Sequence, residues 1–552
     1  MAEYRKGYRS KVLSSLAKVF SDEEPVFLPE CTKLTGLWGE TVSFQVAYIG
    51  EGPRRELLDI RVNSDIASHV RVRTVEQVPV GRATNGIVDD NYLRTASGMY
   101  PDLLRDIPDG MLVCCSTQWR SIWVDVELEP DVPAGMHQVE IAFRKEGRDV
   151  MSECVSLQVY GAVLDEQRIM HTEWIHADCL ADYYGVEVFS EEHWRLLGNC
   201  FREMVDRGCN MMLCPLFTPP LDTGVGLERT TVQLVDVELS EEGYVFGFDN
   251  LKRWIDLCSE CGVRYFEMSH LFSQWGAKHP PKVMANKDGE LVKIFGWHTP
   301  AVGEYTGFLE SFLPQLIAKL REWGIAERVF FHISDEPLGD LDGYNAAKSS
   351  LGNLLDGFRS MDAVSCYEIY ERGIVDIPIP GNNELDDFIT NEVPDQWTYY
   401  CTGQFLDVSN RFMAMPSARN RIYGVQLYKY NIVGILHWGY NFYNSQYSIS
   451  RINPYAVTDA GGAFPSGDPF LVYPGSDGMP EESIRMMVHY QVLTDLRALQ
   501  MLERLAGRDF VMDLIEGDLG EPLTFTRYPK SDMYLISLRN RVNREIAKRA
   551  GE

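Results

Sequence analysis

The sequence predicts an α/β protein in which a (β/α)8 TIM barrel follows an N-terminal β-sandwich. Three observations carry that expectation. The chain has 552 residues, 45% of them apolar, which suffices for several units of ~150 residues each. Up to about residue 165 the apolar residues alternate with period two in short runs. From His171 onward the rhythm becomes apolar strand, loop and amphipathic helix, repeated. The domains expected are therefore a sandwich over 1–165, a catalytic barrel over 166–507 and an unassigned tail over 508–552.

In the first domain, Val42-Ser-Phe-Gln-Val-Ala-Tyr48, Val70-Arg-Val-Arg-Thr-Val75, Ser121-Ile-Trp-Val-Asp-Val-Glu127 and Gln138-Val-Glu-Ile-Ala-Phe143 read as half-buried strands. In the second, strands are expected at 171–176, 209–214, 263–268, 329–334, 363–367, 387–390, 397–400 and 433–437. Helices are expected at 191–207, 250–261, 304–323, 344–360 and 417–430, with a hairpin inserted at 229–249. Eight strands over ~250–330 residues suit a closed barrel better than an open sheet. A long helical pattern runs from Glu481 to Ala506.

Composition narrows the function. The 80 acidic residues exceed the 52 basic ones and give a net charge of -28, which repels phosphate backbones and anionic headgroups. Nucleic acid and membrane are thus not expected as partners, and the sequence carries no signal for oligomeric state. Met1 to Lys18 lacks the apolar stretch of a secretory signal. Several of the twelve cysteines sit in apolar runs as free thiols would, so a reducing, cytoplasmic setting is expected. Cys258-Ser-Glu-Cys261 has no second pair at zinc spacing. No phosphate loop, nucleophile elbow or His-Glu-x-x-His motif occurs, so no metal and no cofactor are expected.

The segment Arg328-Val-Phe-Phe-His-Ile-Ser-Asp-Glu-Pro337 is a buried strand that ends in two carboxylates, Asp335 and Glu336. Pro337 is expected to keep Glu336 extended. Strand C-termini form the active face of a barrel. Other strand ends bring Trp174, His176, Asp178, His270, Trp275, Tyr400, Trp438, Tyr440 and Asn441 to the same face. Aromatic platforms beside bidentate polar groups match a sugar, with its flat C–H faces and rim of hydroxyls. Adjacent carboxylates approach a bound ring from one side, which is awkward for a nucleophile and an acid flanking the bond. It suits a route in which the 2-acetamido oxygen of the sugar is the nucleophile.

At Phe331-His-Ile-Ser-Asp-Glu-Pro337, Gly434-Ile-Leu-His-Trp-Gly-Tyr-Asn441 and Gly467-Asp-Pro-Phe-Leu-Val-Tyr-Pro-Gly475 the chain resembles glycoside hydrolase family 123, the β-N-acetylgalactosaminidases. The resemblance covers about 171–506. It implies a retaining exo-enzyme acting on terminal β-linked N-acetylgalactosamine of a small glycan, with Asp335 orienting the acetamide and Glu336 as acid/base. A different β-N-acetylhexosaminidase specificity and an inactive carbohydrate-binding barrel are the alternatives.

Overall fold

The computed structural model of the protein describes residues 7–52, 54–336 and 340–551. Pro337 thus lies outside the described residues. Period-two alternation in the first part produces two five-stranded sheets. One runs in the order Arg9–Ser14, Glu40–Ile49, Arg120–Leu128, Val70–Val80, Gly98–Asp106. The other runs Lys33–Trp38, Arg148–Val163, Gly135–Lys145, Glu56–Asn63, Met111–Cys114. Their facing side chains, among them Phe44, Val46, Val124, Ile141, Phe143 and Leu157, form one core.

The second part forms an eight-stranded, nearly closed, barrel-like parallel sheet: β1 (Met170–Glu173), β2 (Met211–Cys214), β3 (Tyr265–Met268), β4 (Val329–Phe331), β5 (Arg359–Val364), β6 (Ile377–Pro380), β7 (Trp397–Tyr399) and β8 (Gly434–His437). Each strand pairs in parallel with its sequence neighbour except β6 with β7, and β8 pairs with β1. At the seam between β6 and β7 there is a single bridge, Gly381 with Tyr399, beside the Thr398 hydroxyl donating to Pro380 O at 2.9 Å. Trp174, Met211, Leu213, Phe330, Met361, Ile379, Trp397, Tyr399 and Leu436 pack together on the inner face. Ile435 on the outer face packs with the helix Ile484–Ala506.

One of the eight strands differs from expectation. Residues 387–390 fall in a helix, Asp386–Thr390, where two aspartates sit favourably in the first turn. The sixth strand is Ile377–Pro380, whose two prolines argue against a strand. It is tolerated because one flank of this strand is the sparsely bonded seam. The helix expected over 344–360 is Leu341–Ser350; it ends before Gly352, whose φ of +50° is left-handed, and β5 begins at Arg359. The expected strand at 363–367 accordingly lies earlier, and Tyr367–Glu371 is helical. The span 417–430 splits into Ser417–Arg421 and Tyr423–Lys429.

The inserted hairpin, Asp236–Ser240 with Gly243–Gly247, joins a second hairpin, Val283–Lys287 with Glu290–Phe295, in a four-stranded sheet. The tail supplies helices Arg508–Glu516 and Asp532–Ala550. Arg539 pairs with both Glu40 of the sandwich (2.6 Å) and Asp495 of the long helix (3.0 Å), so the last helix ties the two larger parts together. Among the described residues, no helix is long and apolar enough to cross a membrane.

Candidate active site

The chain beyond β4 is held by the chain beyond β3. Leu271 N donates to His332 O (3.1 Å), Phe272 N to Ile333 O (2.9 Å) and Trp275 N to Asp335 O (2.9 Å). This pairing delivers Asp335 and Glu336 to a cavity of ≈ 260 Å³, lined also by Trp174, Asp222, Gln274, Trp275, Tyr399, Thr402, Gln404, Trp438, Gln446 and Phe464. Glu336 is not extended as expected: its φ is +49°. Contacts made by loop 271–275 fix the turn and override the local preference set by the following proline. Left-handed backbone at a non-glycine residue is strained, and such strain concentrates at functional sites.

Asp335 is buried, and Gln274 Nε2 donates to its Oδ2 at 2.7 Å. Burial, and then the neighbouring Glu336 charge, push the Asp335 pKa well above the ordinary carboxylate range. Glu336 is half-buried; Trp275 Nε1 donates to its Oε2 at 3.2 Å and the Tyr399 hydroxyl reaches Oε1 at 3.5 Å.

Beneath Asp335, His332 lies between two buried carboxylates, Glu267 Oε2 at 2.8 Å from Nε2 and Asp362 Oδ1 at 3.3 Å from Nδ1. Burial alone lowers an imidazole pKa. Here the hydrogen bonds to Asp362 and Glu267 outweigh it and raise the His332 pKa to about 10. His332 is therefore an imidazolium that partly offsets the field on Asp335.

Of the residues read from the sequence, Asp335, Glu336, Trp174, Trp275 and Trp438 line the cavity together. The others stand behind its wall. Arg229 pairs with both oxygens of Asp178 and donates to His176 Nδ1 at 2.9 Å, while His176 Nε2 donates to Trp438 O at 2.9 Å. Asn441 clasps the backbone of His176, accepting its N–H at 2.7 Å and donating to its carbonyl at 3.1 Å. Burial, and then Arg229, pull the His176 pKa down to about 3, so it stays neutral. His270 stacks on His332 with ring centres 4.5 Å apart. Tyr440 is buried in the outer core, and Tyr400 turns its hydroxyl to His489 at 3.2 Å.

The tyrosine that faces the cavity is Tyr399. Strand alternation from the inward Trp397 points to it, since residues two apart share a face. Gln274 adjoins Trp275 in a strand-end segment, which is the signal that would have found it. Asp222 lies in a long loop with no such signal. Behind Trp438, the fully buried Asp468 accepts from the indole Nε1 (3.1 Å) and from the Thr402 hydroxyl (2.5 Å), and burial raises its pKa to about 6.

Among the described residues, two buried clusters carry potential metal ligands, His171 with Glu173 and His489, and His270 with His332 and Asp362. In the first, both oxygens of Glu173 are occupied by Arg411 at 2.7 Å. In the second, both nitrogens of His332 already face carboxylates. Neither cluster fits a resident ion without displacing these pairs.

No curated protein matches the chain. Among solved structures, a family 123 glycoside hydrolase from Clostridium perfringens, whose structure addresses glycolipid glycan hydrolysis, is similar over 98% of both chains, with 14% identity and a TM-score of 0.75. A GH5 xyloglucanase from Bacteroides ovatus matches 84% of this chain and 98% of its own, with 10% identity and a TM-score of 0.30. The first likeness shows a shared fold, and the second is too remote to carry an argument. The family described as "Glycoside hydrolase 123, catalytic domain" matches residues 174–502, more than half of the sequence. With a carboxylate pair in an aromatic-walled cavity at the strand ends, the chain belongs to glycoside hydrolase family 123.

Proposed function

We propose that this glycoside hydrolase is a retaining exo-β-N-acetylgalactosaminidase that uses the acetamido group of its substrate as nucleophile. The observation that carries the reading is the placement of Asp335 and Glu336 side by side on one wall, with Asp335 buried against Gln274 and Glu336 more open to the cavity. The eight-stranded sheet is read as a (β/α)8 barrel, with this site at its C-terminal face.

In this reading the sugar lies between Trp174 and Trp438. Ionised Asp335 accepts the acetamide N–H and turns its oxygen toward the anomeric carbon. That oxygen attacks as the glycosidic bond breaks, and Glu336 gives its proton to the departing oxygen. Positive charge develops on the cyclised acetamide beside Asp335, whose carboxylate stabilises it. Glu336, now ionised, takes a proton from water as that water opens the ring at the anomeric carbon, and configuration is retained. Trp275 and Tyr399 hold Glu336 in place throughout. The Clostridium perfringens likeness supports a glycan substrate, and the twelve free cysteines support a reducing, cytoplasmic setting.

The test is a panel of aryl β-glycosides with and without the 2-acetamido group, in galacto and gluco forms. Hydrolysis confined to 2-acetamido sugars with galacto preferred is expected; equal rates on sugars lacking the acetamide would overturn the reading.

A further inference from the structure

The sandwich strands Val70–Val80 and Gly98–Asp106 pair antiparallel, with Val80 opposite Gly98. About two to five residues suffice to close such a hairpin, yet residues 81–97 intervene here. Connections of that length without regular structure are uncommon in compact domains and are usually functional.

The bonds of this connection run to two stretches of the barrel. Arg82 Nη1 donates to Ala463 O at 2.7 Å and to Gly462 O at 3.1 Å, and Arg82 O accepts from Ser466 N at 2.7 Å. Phe464, inside that span, lines the cavity and meets Trp438 edge to face with ring centres 5.6 Å apart. The second grip is on the chain after β7. Asn85 Nδ2 donates to Thr402 O at 3.3 Å, the Tyr92 hydroxyl to Phe405 O at 2.8 Å and Asp407 N to Asp89 Oδ2 at 2.7 Å. Buried Arg419 clasps Asp89 in turn, through Nη1 at 2.9 Å and Nη2 at 2.8 Å. Thr402 and Gln404 of this stretch line the cavity.

Both gripped stretches are irregular. Irregular backbone has no ladder of its own, so its course is set by the groups that bond it from outside. Asp407 makes this concrete: its φ of +56° is left-handed at a non-glycine residue, and its N–H is the one that Asp89 accepts. The two stretches meet where the Thr402 hydroxyl donates to Asp468, the carboxyl that also holds Trp438. Adhesion of the sandwich to the barrel is supplied elsewhere. Arg73 pairs with Glu482 in a buried position, and Arg105 clasps Glu481 with bonds of 2.7 and 2.9 Å.

We propose that residues 81–97 of the sandwich brace the sugar-binding wall of the active site, with Arg82 and Asp89 as positioning residues for Phe464 and Thr402. The inference rests on the reading of this cavity as the sugar site, and it makes the sandwich a working part of the enzyme. The catalytic pair is held separately, by loop 271–275. Loosening the brace therefore weakens sugar binding in ground and transition state alike and leaves the chemical step untouched.

The experiment measures hydrolysis of 4-nitrophenyl β-N-acetylgalactosaminide by Arg82→Ala and Asp89→Asn. Each should raise KM about tenfold with kcat within about twofold of wild type, and Arg82→Lys, which can still donate to Ala463 O, should lie between Arg82→Ala and wild type. A variant that merely folds less completely loses kcat at unchanged KM, so that pattern overturns the brace, as does an unchanged KM in both variants. A second measurement needs no substrate. Backbone hydrogen exchange should speed up over 458–467 in Arg82→Ala and over 401–410 in Asp89→Asn, while 329–336 exchanges as in wild type. Wild-type exchange over both stretches refutes the brace. Selective loosening in a protein that cleaves no aryl glycoside supports the brace and refutes the proposed hydrolysis alone.

Discussion

Gln274 Nε2 donates to Asp335 Oδ2 across 2.7 Å, while its Oε1 accepts the backbone N–H of Asp222 at 2.8 Å. A single neutral amide thereby fixes the orientation of the most deeply buried carboxyl in the cavity. Gln274→Leu removes the donor to a carboxylate, worth about 1.5–3 kcal/mol, and should lower kcat/KM by about tenfold or more. Gln274→Glu should be worse, because it adds a third carboxylate to the pair.

The acid role of Glu336 is tested by leaving-group ability. Glu336→Gln should harm natural glycosides by at least about a hundredfold more than aryl glycosides with good leaving groups, which need little protonation. Equal losses on both would remove Glu336 from that role.

The nucleophile is tested on the substrate. Successive fluorination of the acetamide methyl should slow turnover stepwise, and a thiazoline mimic of the cyclised intermediate should inhibit competitively. A flat series would mean that a protein group attacks the sugar.

Asp335 and His332 together set the pH behaviour. In the proposed mechanism Asp335 is ionised when it holds the acetamide, and burial followed by the Glu336 charge raises its pKa. Activity should therefore rise with pH through a limb placed above the ordinary carboxylate range. The His332 imidazolium lowers the Asp335 pKa, so His332→Gln should move that limb to higher pH. A kcat/KM profile of the two proteins checks this, and an unmoved limb would exclude the coupling.

The same shifts govern stability. An unfolded aspartate ionises near pH ~3.9, whereas folded Asp335 holds its proton to higher pH, so ionising it at neutral pH penalises the folded state. Asp335→Asn should abolish most turnover and yet raise Tm by about 1–3 °C. For His332 the pH slope has the same sign, in a higher window. Its folded pKa of about 10 exceeds the unfolded value, so its contribution is complete below pH ~6.5 and is lost as pH climbs toward 10. Thermal scans across that window should show a decline that is blunted in His332→Gln.

The sequence by itself determined what repeats or stands adjacent in the chain. Period-two alternation specified the strands of the first two sheets, and the strand-helix rhythm specified seven of the eight strands of the parallel sheet, because side-chain direction follows backbone periodicity. Asp335 and Glu336 were legible for the same reason, as the last residues of an apolar run. Tertiary structure decided everything that depends on long-range contact. A strand containing Pro378 and Pro380 was acceptable only at a sparsely bonded seam, and the Glu336 turn was set by loop 271–275 against the local preference of a residue before proline. Most of the aromatic and polar residues at the strand tips were equally plausible until packing separated Trp174, Trp275 and Trp438, which face the cavity, from His176, Tyr400 and Asn441, which support it. Asp222 and Tyr447 are 225 positions apart and meet through one hydrogen bond. No local pattern encodes such a meeting, since the free energy that holds strained backbone in place comes from neighbours distant in the chain.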